Sequence, residues 1–236
     1  RGPAPSDWAW APQPATSYFP SFASPRRTVD ELRNVYGVAY GEGLVTRAAR
    51  RVGSRLIGMA RPGGPGSQRF GWTWTADSTP AWRDPGGLGG LREHLRAVLG
   101  LAMSGFSTVG FDIGGWAGVA SDELYLRWFQ AGMYLPYASA HGEGDHTVFA
   151  RPRPIIDLCR AALERRYRLL PYLYSLHIDA NRTGVPMIRS LAFETSGEPG
   201  SEAVDDQWFV GPWLMVAPVV EHASGASADA SATWRD

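Results

Sequence analysis

The chain contains no lysine: all 23 of its basic residues are arginine. With abundant Ala and Gly, this points to a GC-rich coding sequence rather than to a function. Those arginines are balanced by 23 Asp and Glu. A neutral chain gives no argument for nucleic acid or an acidic membrane surface as partner. Cysteine is nearly absent as well. Cys159 stands alone, which excludes an intrachain disulfide and a thiolate metal cage. It falls on the apolar side of a predicted helix, where a small buried hydrophobe is its natural role. No apolar run approaches the ~18 residues of a membrane-spanning helix. The chain starts R-G-P-A-P-S-D, without an initiator Met or the apolar core of a signal peptide, and so reads as an internal piece of a longer protein.

What is present is an ordinary globular composition, 44% hydrophobic, in a length that allows one domain or one and a fraction. Residues 1–27 are rich in Pro, Ser and aromatics and show no period. Residues 28–51 have near-helical apolar spacing after Thr28, a fair N-cap. A short strand is predicted over 55–60, then a Gly/Pro-rich loop ending at Arg69. Strand 71–77 and a Gly-rich joint, 84–90, lead to a helix over 91–104. A strand over 108–113 and a helix over 121–135 follow, with Ser121 as N-cap. A long helical pattern, 154–182, contains Pro171, where a kink or break is expected. Beyond it only strands are predicted, over 185–193 and 207–220. The alternation of strand and helix argues for parallel βα units. The closing strands argue for a second, all-β domain starting near Pro186. The fold class is therefore α/β, with later units of a barrel over 1–185 and the start of a β domain over 186–236.

Two strands end on a carboxylate. In G-W-T-W-T-A-D, residues 71–77, aromatic and β-branched residues alternate until Asp77, and Ser78-Thr79-Pro80 breaks the run. In T-V-G-F-D-I-G-G, residues 108–115, Asp112 sits in an apolar run with glycines beyond it. A charge at the end of an apolar strand is costly to bury unless it is paired or used. One such Asp reads equally well as a helix cap. Two, on successive strands separated by a helix, read as the rim of a barrel active site. That rim would carry Asp77, Asp112, Arg69 and His141, with several tryptophans close in sequence. Carboxylates accept hydrogen bonds from sugar hydroxyls, Arg supplies a fork of donors, and aromatic faces pack on a pyranose ring. Glycoside hydrolysis needs two carboxyl groups across the scissile bond. The plainer reading makes the tryptophans core and Arg69 a solvated loop residue. Glu143, Asp145, His146 and His141 could suggest a metal, but their spacing fits no standard zinc pattern. His94 and His177 fall in predicted helices, as surface or capping residues.

Ordered motifs extend along almost the whole chain. Arg33-Asn34-Val35-Tyr36-Gly37, Gly66-Ser67-Gln68-Arg69-Phe70, Trp74-Thr75-Ala76-Asp77-Ser78, Gly110-Phe111-Asp112-Ile113-Gly114-Gly115-Trp116, Leu126-Arg127-Trp128-Phe129-Gln130-Ala131-Gly132, Arg166-Tyr167-Arg168-Leu169-Leu170-Pro171-Tyr172 and Asp205-Asp206-Gln207-Trp208 occur in that sequence. Together they resemble glycoside hydrolase family 31, the retaining α-glucosidases and their relatives. The resemblance implies a partial TIM (β/α)8 barrel, later strands only, followed by the beginning of a β-sandwich. It implies Asp77 as general acid/base. It also implies Arg69, Trp74, Asp112 and His141 as the residues that hold the non-reducing glucose, with no cofactor and no metal. The family's nucleophile belongs to a W-x-D-x-N-E-P motif ahead of residue 33, and residues 1–32 do not contain it. The nucleophile is thus expected outside this chain, on a missing N-terminal half, and the chain alone is expected to be inactive.

Three departures bear on substrate preference. Ala76 stands where the family has Gly, Ser139 where it has Arg, and the joint 85–90 is longer than usual. On the residues alone, a same-fold α-transglucosylase and a truncated non-catalytic protein stay open beside an α-glucoside hydrolase. The rim residues are expected to leave three successive strand ends and point into one cleft, with Arg69 beside them. The open side of the barrel is expected to expose apolar surface.

Overall fold

The computed structural model describes residues 36–54, 56–61 and 63–222. Thr28, Leu32 and Val35, which open the first predicted helix, and Arg33 and Asn34 of the first motif lie outside them. So do the polar residues after His222. The chain divides into two compact units, residues 1–72 and 73–236.

In the first unit, residues 36–52 are helical, with a π-helical turn at Glu42–Arg47 and a short α-helix at Ala48–Val52 that ends on Gly53. The strand expected over 55–60 shrinks to one parallel bridge, Met59 to Trp72. Two backbone bonds hold it, Trp72 N–H to Gly58 O at 3.0 Å and Ala60 N–H to Trp72 O at 2.9 Å. The Gly/Pro-rich loop closes in a 3-10 turn, Ser67–Phe70.

The second unit holds two three-stranded sheets. The first is parallel, with β1 (Thr73–Trp74), β2 (Val109–Asp112) and β3 (Tyr137–Ser139) in spatial order 1-2-3. Helix α1 (Leu91–Met103) connects β1 to β2, and α2 (Asp122–Gly132) connects β2 to β3. These are two consecutive βα units, as the apolar spacing requires. Leu91, Leu95, Val98, Leu99 and Ala102 of α1 are buried in the core, and Ser121 caps α2 by accepting from Leu124 N–H at 3.4 Å. The strand predicted to reach Asp77 pairs only through Trp74, so Asp77 lies three residues past the ladder. No closed barrel forms among the described residues.

Helix α3, Arg153–Thr183, runs unbroken through Pro171 and packs on α2. The expected break does not occur. Its mate Tyr172 donates to Val210 O at 2.7 Å, and Arg166 donates to Met133 O and Leu135 O, both at 2.7 Å, and to Pro136 O at 3.0 Å. Those three carbonyls close α2 and lead into β3. The second sheet is antiparallel, with β4 (Ile188–Ser190), β5 (Trp208–Val210) and β6 (Leu214–Val216) in order. The strand predicted over 185–193 ends early, because the Ser190 hydroxyl caps a short helix, α4 (Leu191–Glu194). Cys159 is buried at 1% exposure on α3, and burial pushes its thiol up to about 11, so it packs as a hydrophobe.

Apolar side chains stand exposed along α3: Leu158, Leu163, Leu170, and Tyr167 and Tyr174 at 67% and 65%. An open groove of about 600 Å3 runs past Arg160, Leu163, Glu164 and Tyr167 on that helix. It brings no catalytic groups together.

Gly110, at the centre of the parallel sheet, cannot be replaced. A Cβ there would stand 1.8 Å from the Tyr137 carbonyl oxygen. Gly110→Ala is expected to lower stability by about 3 kcal/mol or more through forced separation of β2 and β3. Gly100→Ala, on α1 with nothing within 4 Å of the new methyl, is expected to raise it by about 0.5–1 kcal/mol. Chemical denaturation of the two variants side by side checks both signs.

Candidate active site

Parallel strands in register put partner residues on the same face of the sheet. Trp74 is opposite Gly110, Gly110 opposite Tyr137, and Asp112 opposite Ser139. Phe111, on the other face, meets Trp128 of α2 edge-on at 5.8 Å. The helices therefore cover the Phe111 face. Trp74, Asp112 and Ser139 share the opposite one, which is the interior face of a barrel. Asp112 is 2% exposed at the end of β2. Its register partner is Ser139.

Three loops leave this end of the sheet. The first carries Asp77, half-buried; the second follows Asp112; the third carries His141, exposed, two residues beyond β3. Hydrogen bonds lace them together. Ser78, fully buried, accepts at its carbonyl from Trp116 N–H and Ala117 N–H, both at 2.8 Å. Glu143 N–H then donates to Trp116 O at 2.7 Å. Trp116 thus joins the loop of Asp77 on one side to the loop of His141 on the other. Gly115 makes the approach possible: its φ is +83°, and a Cβ would lie 2.6 Å from Pro80 N.

Arg69 lies in the first unit, on the 3-10 turn Ser67–Phe70. Its guanidinium stacks on the Phe70 ring at 4.5 Å and lies 4.0 Å from Glu42, largely exposed.

Two buried imidazoles support the rim, and sequence patterning gave both too small a role. His94, expected as a surface or capping residue, is 4% exposed on α1. Its Nε2 donates to Leu88 O at 3.0 Å, which leaves Nδ1 to accept from the Thr75 hydroxyl at 2.5 Å. Burial holds its pKa below the ordinary value, against the opposing pull of Glu93 and Asp77. His146, also 4% exposed, sits within the third loop. Its Nε2 is 2.9 Å from Glu143 O and its Nδ1 3.3 Å from Ile113 O. Asp145 spends its carboxylate on Thr147, through the backbone N–H at 3.0 Å and the hydroxyl at 2.7 Å. These bonds are local loop closure. The only sequence signal for either histidine was position: His94 recurs with the apolar stripe of α1, three residues after Leu91 and one before Leu95.

Ala76 has φ +72°, the left-handed region, immediately before Asp77. A glycine here would adopt it without strain.

Residues 5–176 match the family description "Glycosyl hydrolases family 31 TIM-barrel domain", and residues 184–234 match "Glycosyl hydrolase family 31 C-terminal domain". The chain belongs to glycoside hydrolase family 31. A probable glucan 1,3-alpha-glucosidase of Arabidopsis thaliana is 33% identical over 237 residues, 92% of this chain and 24% of that protein. An alpha-glucosidase of Saccharolobus solfataricus is 32% identical over 203 residues, 81% of this chain and 28% of the relative. Among solved family 31 structures, a cycloalternan-degrading enzyme from Trueperella pyogenes superposes with a TM-score of 0.73 at 28% identity, covering 85% of this chain and 29% of that one. A glucosidase II alpha subunit gives 0.74 at 28%, covering 84% and 21%. The chain thus spans about a quarter of the length of these family 31 proteins. The architecture is that of the family: TIM-barrel units followed by the C-terminal domain.

Two outcomes follow from the strain and the burial. Ala76→Gly is expected to raise stability by about 1 kcal/mol, read as a shift in the denaturant midpoint. His94 has a folded pKa below the 6.5 of a free imidazole, so the unfolded chain takes up the proton first. The stability it contributes is complete above 6.5 and drains away as pH falls through the depressed folded value. Tm recorded between about pH 7 and about pH 5 should fall in the parent chain and flatten in His94→Gln, which carries no titrating ring.

Proposed function

We propose that this chain supplies the acid/base side of a retaining α-glucosidase active site, with Asp77 as general acid/base. The observation that carries this reading is the order of the rim. Asp77, Asp112 and His141 leave three consecutive parallel strands at the same end, and their loops are hydrogen-bonded to one another. The curated relatives above are named as alpha-glucosidases, which supports a terminal α-glucosidic bond as the target.

In this reading Asp77 protonates the glycosidic oxygen in the first step, and the leaving sugar departs as an alcohol. A carboxylate outside these 236 residues takes the anomeric carbon and forms a glycosyl ester. Asp77, now ionised, removes a proton from water, whose oxygen displaces the ester and returns the enzyme. Asp112, buried beside Ser139, accepts from hydroxyls of the bound glucose. Trp74, on the same face, offers its ring to the sugar. His141 and Arg69 donate to it. The nucleophile would come from earlier barrel units, which would also cover the exposed Leu163, Tyr167, Leu170 and Tyr174 on α3. Within this reading the catalytic barrel extends to about residue 185.

The 236-residue chain alone is expected to give no turnover of an aryl α-glucoside. A polypeptide that joins it to the first half of the barrel is expected to be active. There Asp77→Asn should lower kcat/KM on a disaccharide by about 10²–10⁴. It should spare more of the first step on an aryl glucoside with a good leaving group. Azide, which needs no base, should restore part of that turnover. Asp112→Asn should weaken both substrates alike and ignore azide. Equal responses of the two variants to leaving group and azide would remove Asp77 from the acid/base role.

A further inference from the structure

The Gly-rich joint Asp84–Gly90 touches the Asp77 segment on both sides. Ahead of Asp77, Leu88 O accepts from His94 Nε2, and His94 Nδ1 accepts from the Thr75 hydroxyl. After Asp77, Gly89 O accepts from Thr79 N–H at 2.9 Å and from the Thr79 hydroxyl at 3.1 Å. The same hydroxyl lies 2.8 Å from Asp84 Oδ2. Asp77 is therefore slung between Thr75 and Thr79, and both anchors end on adjacent carbonyls of one loop. The loop is itself fixed to the start of α1. Glu93 accepts from Asp84 N–H and Gly90 N–H, both at 2.9 Å. Burial opposes the charge of Glu93, but the backbone donors outweigh it and hold its pKa low. The His94 ring lies tilted beside Trp128 at 6.4 Å between centroids, and the bonds at its two nitrogens hold its orientation. Asp77 lies near enough to act on His94 electrostatically.

We propose that the joint Asp84–Gly90, acting through His94 and Thr79, is the positioning element for Asp77, with Thr75 and His94 as positioning residues. This rests on the acid/base reading of Asp77 for its catalytic meaning, though the coupling itself is a property of the folded chain. Thr75 is the last residue tied to the sheet, its N–H donating to Gly110 O at 3.1 Å. Ala76 then turns through the left-handed region. An Asp that follows a strained residue has no strand ladder to aim it. The side-chain anchors on Thr75 and Thr79 supply the aim.

The test uses Thr75→Val, which keeps the shape and removes the hydroxyl, and Thr75→Ser, which keeps the hydroxyl. In the full 236-residue chain, amide exchange is followed at Thr79 and Trp116, whose N–H groups bond to Gly89 O and Ser78 O, and at Tyr125, which bonds to Ser121 O on α2. The side-chain carboxyl of Asp77 is followed by carbon NMR. Thr75→Val is expected to speed exchange at Thr79 and Trp116 by about tenfold, the loss of one hydrogen bond, and to leave Tyr125 unchanged. It should also move the Asp77 resonance, and Thr75→Ser should return both readouts to the parent values. Thr79→Val is the second probe and should move the Asp77 resonance from the other side. An unmoved Asp77 resonance in both valine variants overturns the proposal, as does equal acceleration at Tyr125, which would mean general destabilisation. If instead the couplings hold and Asp77→Asn of the joined enzyme keeps full activity, the acid/base reading fails while the positioning of residue 77 stands.

Discussion

The rim depends on the main chain of Trp116. Its N–H donates to Ser78 O and its carbonyl accepts from Glu143 N–H, so the backbone of one residue stitches the loops that carry Asp77 and His141 to the loop that follows Asp112. Loops of irregular backbone must find partners for every buried N–H and C=O. Here they find them in one another. The three loops are thereby tied to one another through backbone groups, and side-chain bonds such as those of Thr75 and Thr79 add to that framework. Side-chain identity then matters mainly for closeness: a glycine at 115, a small residue at 78.

Behind that rim the layers follow ordinary packing. Phe111 and Trp128 fill the space between sheet and helix, and the apolar stripe of α1 closes the core. The antiparallel sheet joins the same unit through β4 on α1 and through charges. Arg96 meets Asp205 at 2.5 Å, and Arg92 meets Asp205, Asp206 and Glu221. Burial alone would raise the Asp205 pKa, and the hydrogen bonds and charges of Arg96 and Arg92 reverse it. Those pairs are partly exposed and contribute little apiece, so they orient the second sheet more than they stabilise it.

Much of this was legible in the residues. The stripe Leu91, Leu95, Val98 and Ala102 marks α1 because its period is helical, and Ser121 marks the start of α2 because a hydroxyl there meets an unpaired N–H. Asp77 and Asp112 stood out because charge at the end of an apolar strand needs a reason. Other features were illegible for equally physical causes. The strand toward Asp77 ends at Trp74 because Ala76 turns into the left-handed region, and an alanine gives no sign of that. Pro171 does not break α3: Leu173 and Leu176 just beyond it are buried in the core and Tyr172 holds β5, and that packing outweighs one missing donor. The burial of His94 is not legible, because an imidazole at a helical position reads equally as a surface or capping residue; its partners, Thr75 and Leu88, come from segments whose approach is set by tertiary structure. Arg166 likewise reads as one more arginine until the carbonyls of residues 133, 135 and 136 are seen around it.

Helix α3 is 31 residues long, roughly 46 Å at 1.5 Å per residue. Near one part of it Arg166 grips the turn into β3, and less than two turns on Tyr172 grips β5. A single rigid rod therefore carries handles to both sheets. Mechanically, the two sheets share an axle: a rotation of the antiparallel sheet is passed on through the helical segment between the two handles, in which Pro171 leaves one backbone bond unmade. Substitutions that tilt β5 and β6 should thus be felt at the entry to β3, at long range and without any change in the loops between.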